Sequence, residues 1–180
     1  MDALRFNVAT LLKEPTGSSR RYPIEATVEA LDGLALLAPL RGEVTLLRLG
    51  PQQGETGAIL VLGRLTTAVL LDCSRCLTPA QVEVSFEMED PYYPQFDVVT
   101  GHRLAGHQDD LGFDLTTDHQ LDLSEAVWQH VTLAAPLQPL CSPDCAGLCP
   151  VCGQNRREQP CTHEAVDVDP RLAALQALLT

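Results

Sequence analysis

The C-terminal part of the chain contains the stretch Cys141-Ser-Pro-Asp-Cys145-Ala-Gly-Leu-Cys149-Pro-Val-Cys152-Gly153, which carries four of the seven cysteines. A fifth follows in Cys161-Thr-His163, and the other two form Cys73-Ser-Arg-Cys76 far upstream. Seven thiols and one imidazole make eight potential ligands, and a structural zinc ion takes four in a tetrahedron. The sequence therefore predicts two structural zinc ions, held by Cys73, Cys76, Cys141, Cys145, Cys149, Cys152, Cys161 and His163.

The ligands can be divided between the two ions in more than one way. Cys149-Pro-Val-Cys152-Gly153 has the form of a zinc knuckle, in which proline fixes the turn and glycine lets backbone N–H groups approach the sulfurs. In the first division, this knuckle joins Cys161-Thr-His163, and Cys141 with Cys145 joins the upstream pair. A second division places the four cysteines from Cys141 to Cys152 around one ion, and a third crosses the pairs. The sequence alone does not decide between these three divisions.

The composition fits a folded domain that does not bind nucleic acid through a basic surface. The chain has 180 residues, 45% of them hydrophobic, which is enough to bury a core, and its formal net charge is −12. We expect no membrane span, because no apolar run reaches the length that one needs, and no signal peptide at the N-terminus. We expect a cytosolic protein, in which clustered cysteines favour metal over disulfides.

Hydrophobic patterns predict an α+β fold: an antiparallel β-sheet or small barrel, followed by a helix, the cysteine-rich zinc-binding segment and a short C-terminal helix. From Gln81 to Glu89, apolar and polar residues alternate with the period of a half-buried strand. Further strands are predicted at Ile24–Val28, at Gly42–Leu49 and along the apolar run Ala58–Leu71, which Gly63-Arg64 interrupts.

The second half of the chain shows one helical pattern before the cysteines. Leu123, Val127 and Val131 share a helical face, and Asp122 can cap that helix, with Glu125 three residues later. Asp169-Pro170 is a start signal for the short C-terminal helix. The predicted organisation is a β domain at 1–100, a loop at 101–120, and a segment at 121–180 that holds the helix, the zinc ligands and the C-terminal helix and docks on the β domain.

Acidic side chains dominate the region between Glu83 and Glu125, where Arg103 is the only lysine or arginine. Such a run is either a solvated face or a binding surface for a basic protein. The histidines of this region and of the predicted helix are expected to be surface or hydrogen-bonded residues and not ligands: His102, His107, His119 and His130.

No catalytic arrangement is recognisable in the sequence. It contains no nucleophile–base pair and no phosphate-binding loop, and a closed four-ligand zinc site has no open position for chemistry. A thiol redox role for Cys73-Ser-Arg-Cys76 would require a helix N-terminus in a thioredoxin-like setting, whereas strands flank this motif. We therefore expect no enzyme, with a zinc-containing protein-binding regulatory adaptor and a thiol redox protein or metallochaperone as alternatives.

Four separated motifs occur in the order found in a known family. They are Cys73-Ser-Arg-Cys76-Leu77 before an alternating strand, Leu121-Asp-Leu-Ser-Glu125, the cysteine-rich stretch, and Asp169-Pro-Arg-Leu172. From about Gly42 onward the chain resembles the YceD family of bacterial and plastid proteins linked to accumulation of large-subunit ribosomal RNA. The resemblance implies a non-catalytic cytoplasmic role in synthesis, processing or stability of that RNA.

Two positions depart from the family pattern. His163 stands where many relatives have cysteine, which an imidazole can replace as a zinc ligand, and Asn155-Arg156-Arg157 stands where Asn-Leu-Asn is common. The two arginines could touch phosphate, or be solvated or paired with local acids. The expected partner is a large-subunit ribosomal RNA precursor or a basic ribosomal protein, with protein contact favoured by the negative charge of the chain.

Overall fold

The structure, a computed structural model, describes residues 4–27, 30–31, 34–51, 57–104, 112–159, 161–163 and 171. Among these residues, strands predominate and two helices are short. In chain order the elements are β1 Arg5–Asn7, α1 Ala9–Lys13, β2 Ser19–Ala26, β3 Ala30–Leu31, β4 Leu34–Ala35, β5 Leu40–Arg48, β6 Ile59–Asp72, β7 Pro79–Tyr93, β8 Phe113–Asp114, β9 Gln120–Asp122 and α2 Ser124–Ala134. None of the helices in the described part is long and apolar enough to cross a membrane.

The main sheet has five strands in the order β2-β5-β6-β7-β8. β5 pairs antiparallel with both β2 and β6, whereas the short β8 pairs parallel with the end of β7. Among the described residues the sheet is open, with β2 and β8 at its edges, so the small barrel that was the second possibility is not formed. The predicted α+β class, with a mostly antiparallel sheet, is confirmed.

The structure divides into two compact units, each of which combines distant parts of the chain. The first consists of Met1–Leu71 and Gln81–Leu137, and the second of Asp72–Ala80 and Gln138–Thr180. This division differs from the linear ranges 1–100, 101–120 and 121–180, because the connection between β6 and β7 belongs to the same unit as the cysteine-rich segment. Docking of that segment on the β domain stays a prediction.

β6 is the central strand of the first unit and is continuous over 14 residues. Gly63 does not interrupt it as the sequence suggested, since a Cβ there would lie 2.8 Å from Met88 Cγ and 3.0 Å from Val44 Cγ1. The glycine therefore makes room for its neighbours across the sheet. Leu65 and Val69 of the same strand are completely buried.

α2 completes the core of the first unit. Leu123, Val127 and Val131 are all fully buried, as the helical pattern predicted. The helix begins at Ser124 with Leu123 in the cap position, and Asp122 still accepts a hydrogen bond of 2.9 Å from the Ser124 N–H. The helix therefore begins one residue later than a cap at Asp122 would give, a difference that is common at helix ends.

Several local predictions were incomplete. The strand expected at Ile24–Val28 begins earlier, at Ser19, and the loop expected at 101–120 contains β8 and the start of β9. The five-residue α1 was missed because it is too short to show a helical period. The predicted C-terminal helix after Asp169-Pro170 lies outside the described residues.

Candidate metal centres

The connection between β6 and β7 is a tight turn that presents two sulfurs. The Cys73 N–H donates to the Thr78 carbonyl at 2.9 Å, and the Leu77 N–H donates back to the Cys73 carbonyl at 2.9 Å. These bonds force Leu77 into the left-handed region, with φ of 59°. The turn therefore places Cys73 and Cys76 side by side, with backbone N–H groups near their sulfurs.

The turn from Cys149 to Gln154 has the same hydrogen bonds. The Cys149 N–H donates to the Gln154 carbonyl at 2.8 Å, and the Gly153 N–H donates to the Cys149 carbonyl at 2.8 Å. Gly153 has φ of 73°, so it occupies the position that Leu77 takes in the upstream turn. The sequence showed the second turn through its glycine but did not reveal that a leucine adopts the same conformation in the first.

One set of four candidate ligands, hereafter the four-cysteine centre, consists of Cys73, Cys76, Cys141 and Cys145. The Sγ atoms of Cys73 and Cys145 lie 3.9 Å apart, and those of Cys76 and Cys141 lie 3.6 Å apart. Cys73, Cys76 and Cys145 are buried, whereas Cys141 is partly exposed. This centre therefore lies in an interior that Leu140 and Leu148 help to form.

Hydrogen bonds hold the two chain segments of the four-cysteine centre together. Ser74 donates to the Pro139 carbonyl through both its N–H, at 2.8 Å, and its hydroxyl, at 2.9 Å. Arg75 donates from Nη1 to the Cys145 carbonyl at 2.9 Å and accepts at its own carbonyl from the Leu148 N–H at 3.0 Å. These contacts lie within the second unit and align the two pairs of thiols.

The other set, hereafter the three-cysteine centre, consists of Cys149, Cys152, Cys161 and His163. Cys149 Sγ lies 3.9 Å from His163 Nδ1. Cys149 is buried, Cys161 is partly exposed, and Cys152 and His163 are exposed. This centre is therefore more open to solvent than the four-cysteine centre.

Backbone hydrogen bonds favour the ionised form of a thiol in each centre, most strongly that of Cys73 and that of Cys149. The Cys141 N–H, followed by those of Arg75 and Cys76, lowers the pKa of the Cys73 thiol to about 6. The N–H groups of Cys152 and Val151 lower the pKa of the Cys149 thiol to about 5. Both sulfurs therefore favour the ionised form, which is the form that binds a metal ion.

Two other thiols, those of Cys145 and Cys152, have raised pKa values. A hydrogen bond from the Gly147 N–H favours ionisation of Cys145, but burial and the adjacent thiols outweigh it and raise the pKa of this thiol to about 11. The pKa of Cys152 is raised as well, because burial and the Cys149 and Cys161 thiols outweigh a hydrogen bond from Gln154. A cation among the sulfurs would remove this mutual repulsion.

The donor atoms fit a tetrahedral metal ion in both centres. With metal–sulfur bonds of about 2.3 Å, the sulfurs of a tetrahedral site lie about 3.8 Å apart, close to the 3.9 and 3.6 Å found for Cys73–Cys145 and Cys76–Cys141. All ligand atoms of each centre lie within 4.8 Å of one another, and all seven cysteines are free thiols. Both groups could therefore bind a metal ion.

The structure brings the eight candidate ligands together in the first of the three divisions considered. The group that would place Cys141, Cys145, Cys149 and Cys152 around one ion is not formed, because the first two lie with the upstream turn and the last two with Cys161 and His163. That these residues ligate an ion stays a prediction.

None of the remaining histidines in the described part of the chain belongs to either set of candidate ligands. His130 lies 2.9 Å from the Asp90 carboxylate and stacks on Phe86 in the first unit. His102 is exposed, the His119 carbonyl accepts a hydrogen bond from Val8, and His107 lies outside the described residues.

Arg156 and Arg157 have a position that sequence reasoning missed. Arg156 Nη2 lies 3.9 Å from Cys149 Sγ, and Arg157 Nη1 lies 3.7 Å from Cys141 Sγ. They therefore face sulfur, where the sequence suggested phosphate, solvent or local acids. No spacing rule pointed to this contact, because it depends on how the turn after Cys152 folds back.

Acidic side chains line concave surface in the first unit. One pocket, with a volume of about 670 Å³, includes Asp90, Asp114, Asp122 and Glu125 in its lining. Glu87 and Glu89 lie on the exposed face of β7, as the alternation predicted. A basic surface would be electrostatically complementary to either group of acidic side chains.

Residues 61–179 match a protein-family model described as large ribosomal RNA subunit accumulation protein YceD. An uncharacterised protein of Mycobacterium tuberculosis is 32% identical over 148 residues, which cover 82% of this chain and 68% of that protein. A protein of Zea mays named large ribosomal RNA subunit accumulation protein YCED homolog 1, chloroplastic, is 29% identical over 121 residues, which cover 55% of this chain and 41% of the maize protein. No solved structure matches the chain.

Proposed function

Because the chain belongs to the YceD family, we propose that it is a non-catalytic cytoplasmic factor in the synthesis, processing or stability of large-subunit ribosomal RNA, and that two structural zinc ions stabilise it. The family description names accumulation of this RNA and no reaction. The observation that carries the zinc part is that the eight candidate ligands form two sets of four in one compact unit.

The chemistry of the donors supports zinc as the ion. Thiolate and imidazole ligands in a tetrahedron suit zinc, and four protein ligands leave no position for water or substrate. In each centre two pairs of candidate ligands from different positions in the chain meet, so ligation would close a loop between the pairs. Binding free energy in such small modules is folding free energy, about 10–16 kcal/mol per site.

Elemental analysis of the purified protein under reducing conditions tests the zinc part. We expect about two zinc ions per chain, since each centre supplies a full ligand set. A ratio near zero, with all seven thiols open to Ellman's reagent, would contradict the proposal. A ratio near one would mean that only one of the two centres binds zinc. Alkylation of Cys73 or of Cys161 would then show which centre is empty.

The charge of the protein supports a basic ribosomal protein as the direct partner, in preference to RNA. The net charge is −12, and Glu87 and Glu89 project from the exposed face of β7. An acidic surface repels phosphate and attracts the lysines and arginines of a basic protein. Such attraction is screened over roughly 8 Å at physiological salt, so the interaction should weaken as salt rises.

Affinity purification from cells at several salt concentrations tests this function and its partner. We expect large-subunit precursors and ribosomal proteins to co-purify, and less of both as salt increases. The double substitution Glu87→Lys and Glu89→Lys should reduce the amount of ribosomal material that co-purifies. The thermal stability of the protein should change little, because both side chains are exposed. Asp90 is not suitable for reversal, since its carboxylate is mostly buried and binds His130.

A matched control is Glu25→Lys with Asp118→Lys, which changes the net charge equally at exposed positions elsewhere on the first unit. Glu25, like Glu87, pairs with an exposed arginine. Equal loss of binding in both variants would indicate a general charge effect and would contradict a defined surface on β7. Tight binding to protein-free ribosomal RNA that neither variant weakens would indicate direct RNA recognition.

A further inference from the structure

Two consecutive arginines contact sulfurs in different metal centres. Arg157 follows the knuckle of the three-cysteine centre in sequence, yet its Nη1 lies 3.7 Å from Cys141 Sγ of the four-cysteine centre. Arg156, its neighbour, has Nη2 3.9 Å from Cys149 Sγ of the three-cysteine centre. The pair therefore reaches one thiolate of each centre.

The backbone of this segment is held in a defined turn. The Arg156 N–H donates to the Gly147 carbonyl at 3.1 Å, and the Arg157 N–H donates to Asn155 Oδ1 at 3.1 Å. Glu158 closes the turn with a backbone hydrogen bond to Asn155. The two side chains therefore extend from an ordered backbone to two different sulfurs.

Loaded centres would carry negative charge that the second unit must balance. A doubly charged cation among four thiolates leaves a net charge of −2, and one among three thiolates and an imidazole leaves −1. The sequence of the second unit contains four arginines and no lysine, and three of the arginines contact the segments that bear the candidate ligands: Arg75, Arg156 and Arg157. Charged groups that are only partly hydrated require such compensation.

We propose that Arg156 and Arg157 are outer residues of the two metal centres, each protecting a different centre from metal loss and from attack on its thiolates: Arg156 the three-cysteine centre and Arg157 the four-cysteine centre. The proposal depends on the metal occupancy proposed above. A bound thiolate leaves the ion when it takes up a proton or reacts with an electrophile. A guanidinium that donates a hydrogen bond to the sulfur withdraws electron density from it and disfavours both events.

Selective loss of each centre can be measured in the full-length, zinc-loaded protein. The protein is exposed to excess 4-(2-pyridylazo)resorcinol and N-ethylmaleimide, and alkylation is followed over time by mass spectrometry of tryptic peptides. Cys73 reports the four-cysteine centre in the peptide that ends at Arg75, and Cys161 reports the three-cysteine centre in the peptide that ends at Arg171. The two reporters thus separate the centres in one experiment.

Arg157→Gln should accelerate alkylation of Cys73 by about tenfold and leave Cys161 at the wild-type rate, whereas Arg156→Gln should do the reverse. Lysine at either position keeps the charge but loses the planar donor, so its rate should lie between those of arginine and glutamine. Arg64→Gln is the matched control: it removes an exposed arginine of the first unit that pairs with Glu87, and it should change neither rate.

The inference is overturned if both reporters keep their wild-type rates in the glutamine variants, or if both variants accelerate the same reporter. If a glutamine variant retains no metal, the lysine variant at the same position is measured in its place. It must accelerate alkylation of the same reporter cysteine and leave the other reporter unchanged. The zinc content of the wild-type protein distinguishes failure of this inference from failure of the proposed zinc binding. A metal-free wild type contradicts the centres themselves, whereas two bound ions with unchanged variant rates contradict only the role of the arginines.

Discussion

Leu77→Gly should stabilise the second unit, although it removes a large apolar side chain. Leu77 has φ of 59° in the turn between β6 and β7, and that conformation costs a non-glycine residue about 1–2 kcal/mol. The side chain is 64% exposed, so its removal sacrifices little buried area. Glycine adds about 0.5–1 kcal/mol of chain entropy to the unfolded state. The relieved backbone strain exceeds this entropic cost, so the variant should be more stable by roughly 0.5–1 kcal/mol.

Gly153 provides the reverse experiment, because it takes the same position in the second turn with φ of 73°, and a Cβ added there would meet no atom within 4 Å beyond its chain neighbours. Gly153→Ala should therefore lose about as much stability as Leu77→Gly gains, because the backbone strain outweighs the entropy that alanine removes from the unfolded chain. Zinc affinity measured by chelator competition reports both, since folding of each turn is coupled to ligation. A gain of about 0.5–1 kcal/mol corresponds to roughly two- to fivefold tighter binding.

Leu137→Gly is the control for the loss of an exposed leucine. Leu137 is completely exposed and its φ is not positive, so glycine there brings only the entropic cost and should leave zinc affinity unchanged. If Leu77→Gly binds zinc more weakly than the wild type, or if Gly153→Ala has no effect, the equivalence of the two turns does not hold.

Three further outcomes are expected. Cys149→Ser should lose one metal ion and expose the arginine pair that follows it to trypsin, while equal resistance of variant and wild type would show that the segment does not need the ion. Leu65→Ala, at a fully buried position of β6, should lower the free energy of unfolding in urea by about 2–5 kcal/mol, whereas Leu133→Ala, at a position 81% exposed, should not. Burial opposes ionisation of Asp122, but hydrogen bonds from the start of α2 and from Arg5 hold its pKa below the usual range. Its contribution to stability should therefore be present above about pH 4 and lost as pH falls below it, and Asp122→Asn should flatten that part of the stability curve.

The sequence predicted the elements whose pattern is set by burial. The alternation along β7 and the spacing of Leu123, Val127 and Val131 both follow from which faces are apolar, and the structure confirms them. It did not predict α1 or β8, since neither is long enough to show a period. Their positions depend on tertiary contacts, such as the hydrogen bond from Val8 to the His119 carbonyl.

The candidate ligands were recognisable from the sequence, but the way in which they group in space was only partly so. Thiols and imidazole at short spacings are sufficient to suggest metal, whereas the division between two centres depends on which turns meet in space. The glycine of the second turn signalled its conformation. Leu77 gave no such signal, because its left-handed backbone is imposed by the hydrogen bonds between Cys73 and Thr78.

The two centres should form at different stages of folding, because their ligands are separated by very different lengths of chain. Cys149 and His163 are 14 positions apart, whereas Cys76 and Cys141 are 65 positions apart. In an unfolded chain, each doubling of a loop adds about 0.6 kcal/mol to the cost of closing it, so the longer closure costs roughly 1.3 kcal/mol more. The three-cysteine centre can therefore assemble from local sequence alone. The four-cysteine centre needs the turn between β6 and β7 as well, which makes its occupancy a report on formation of the sheet.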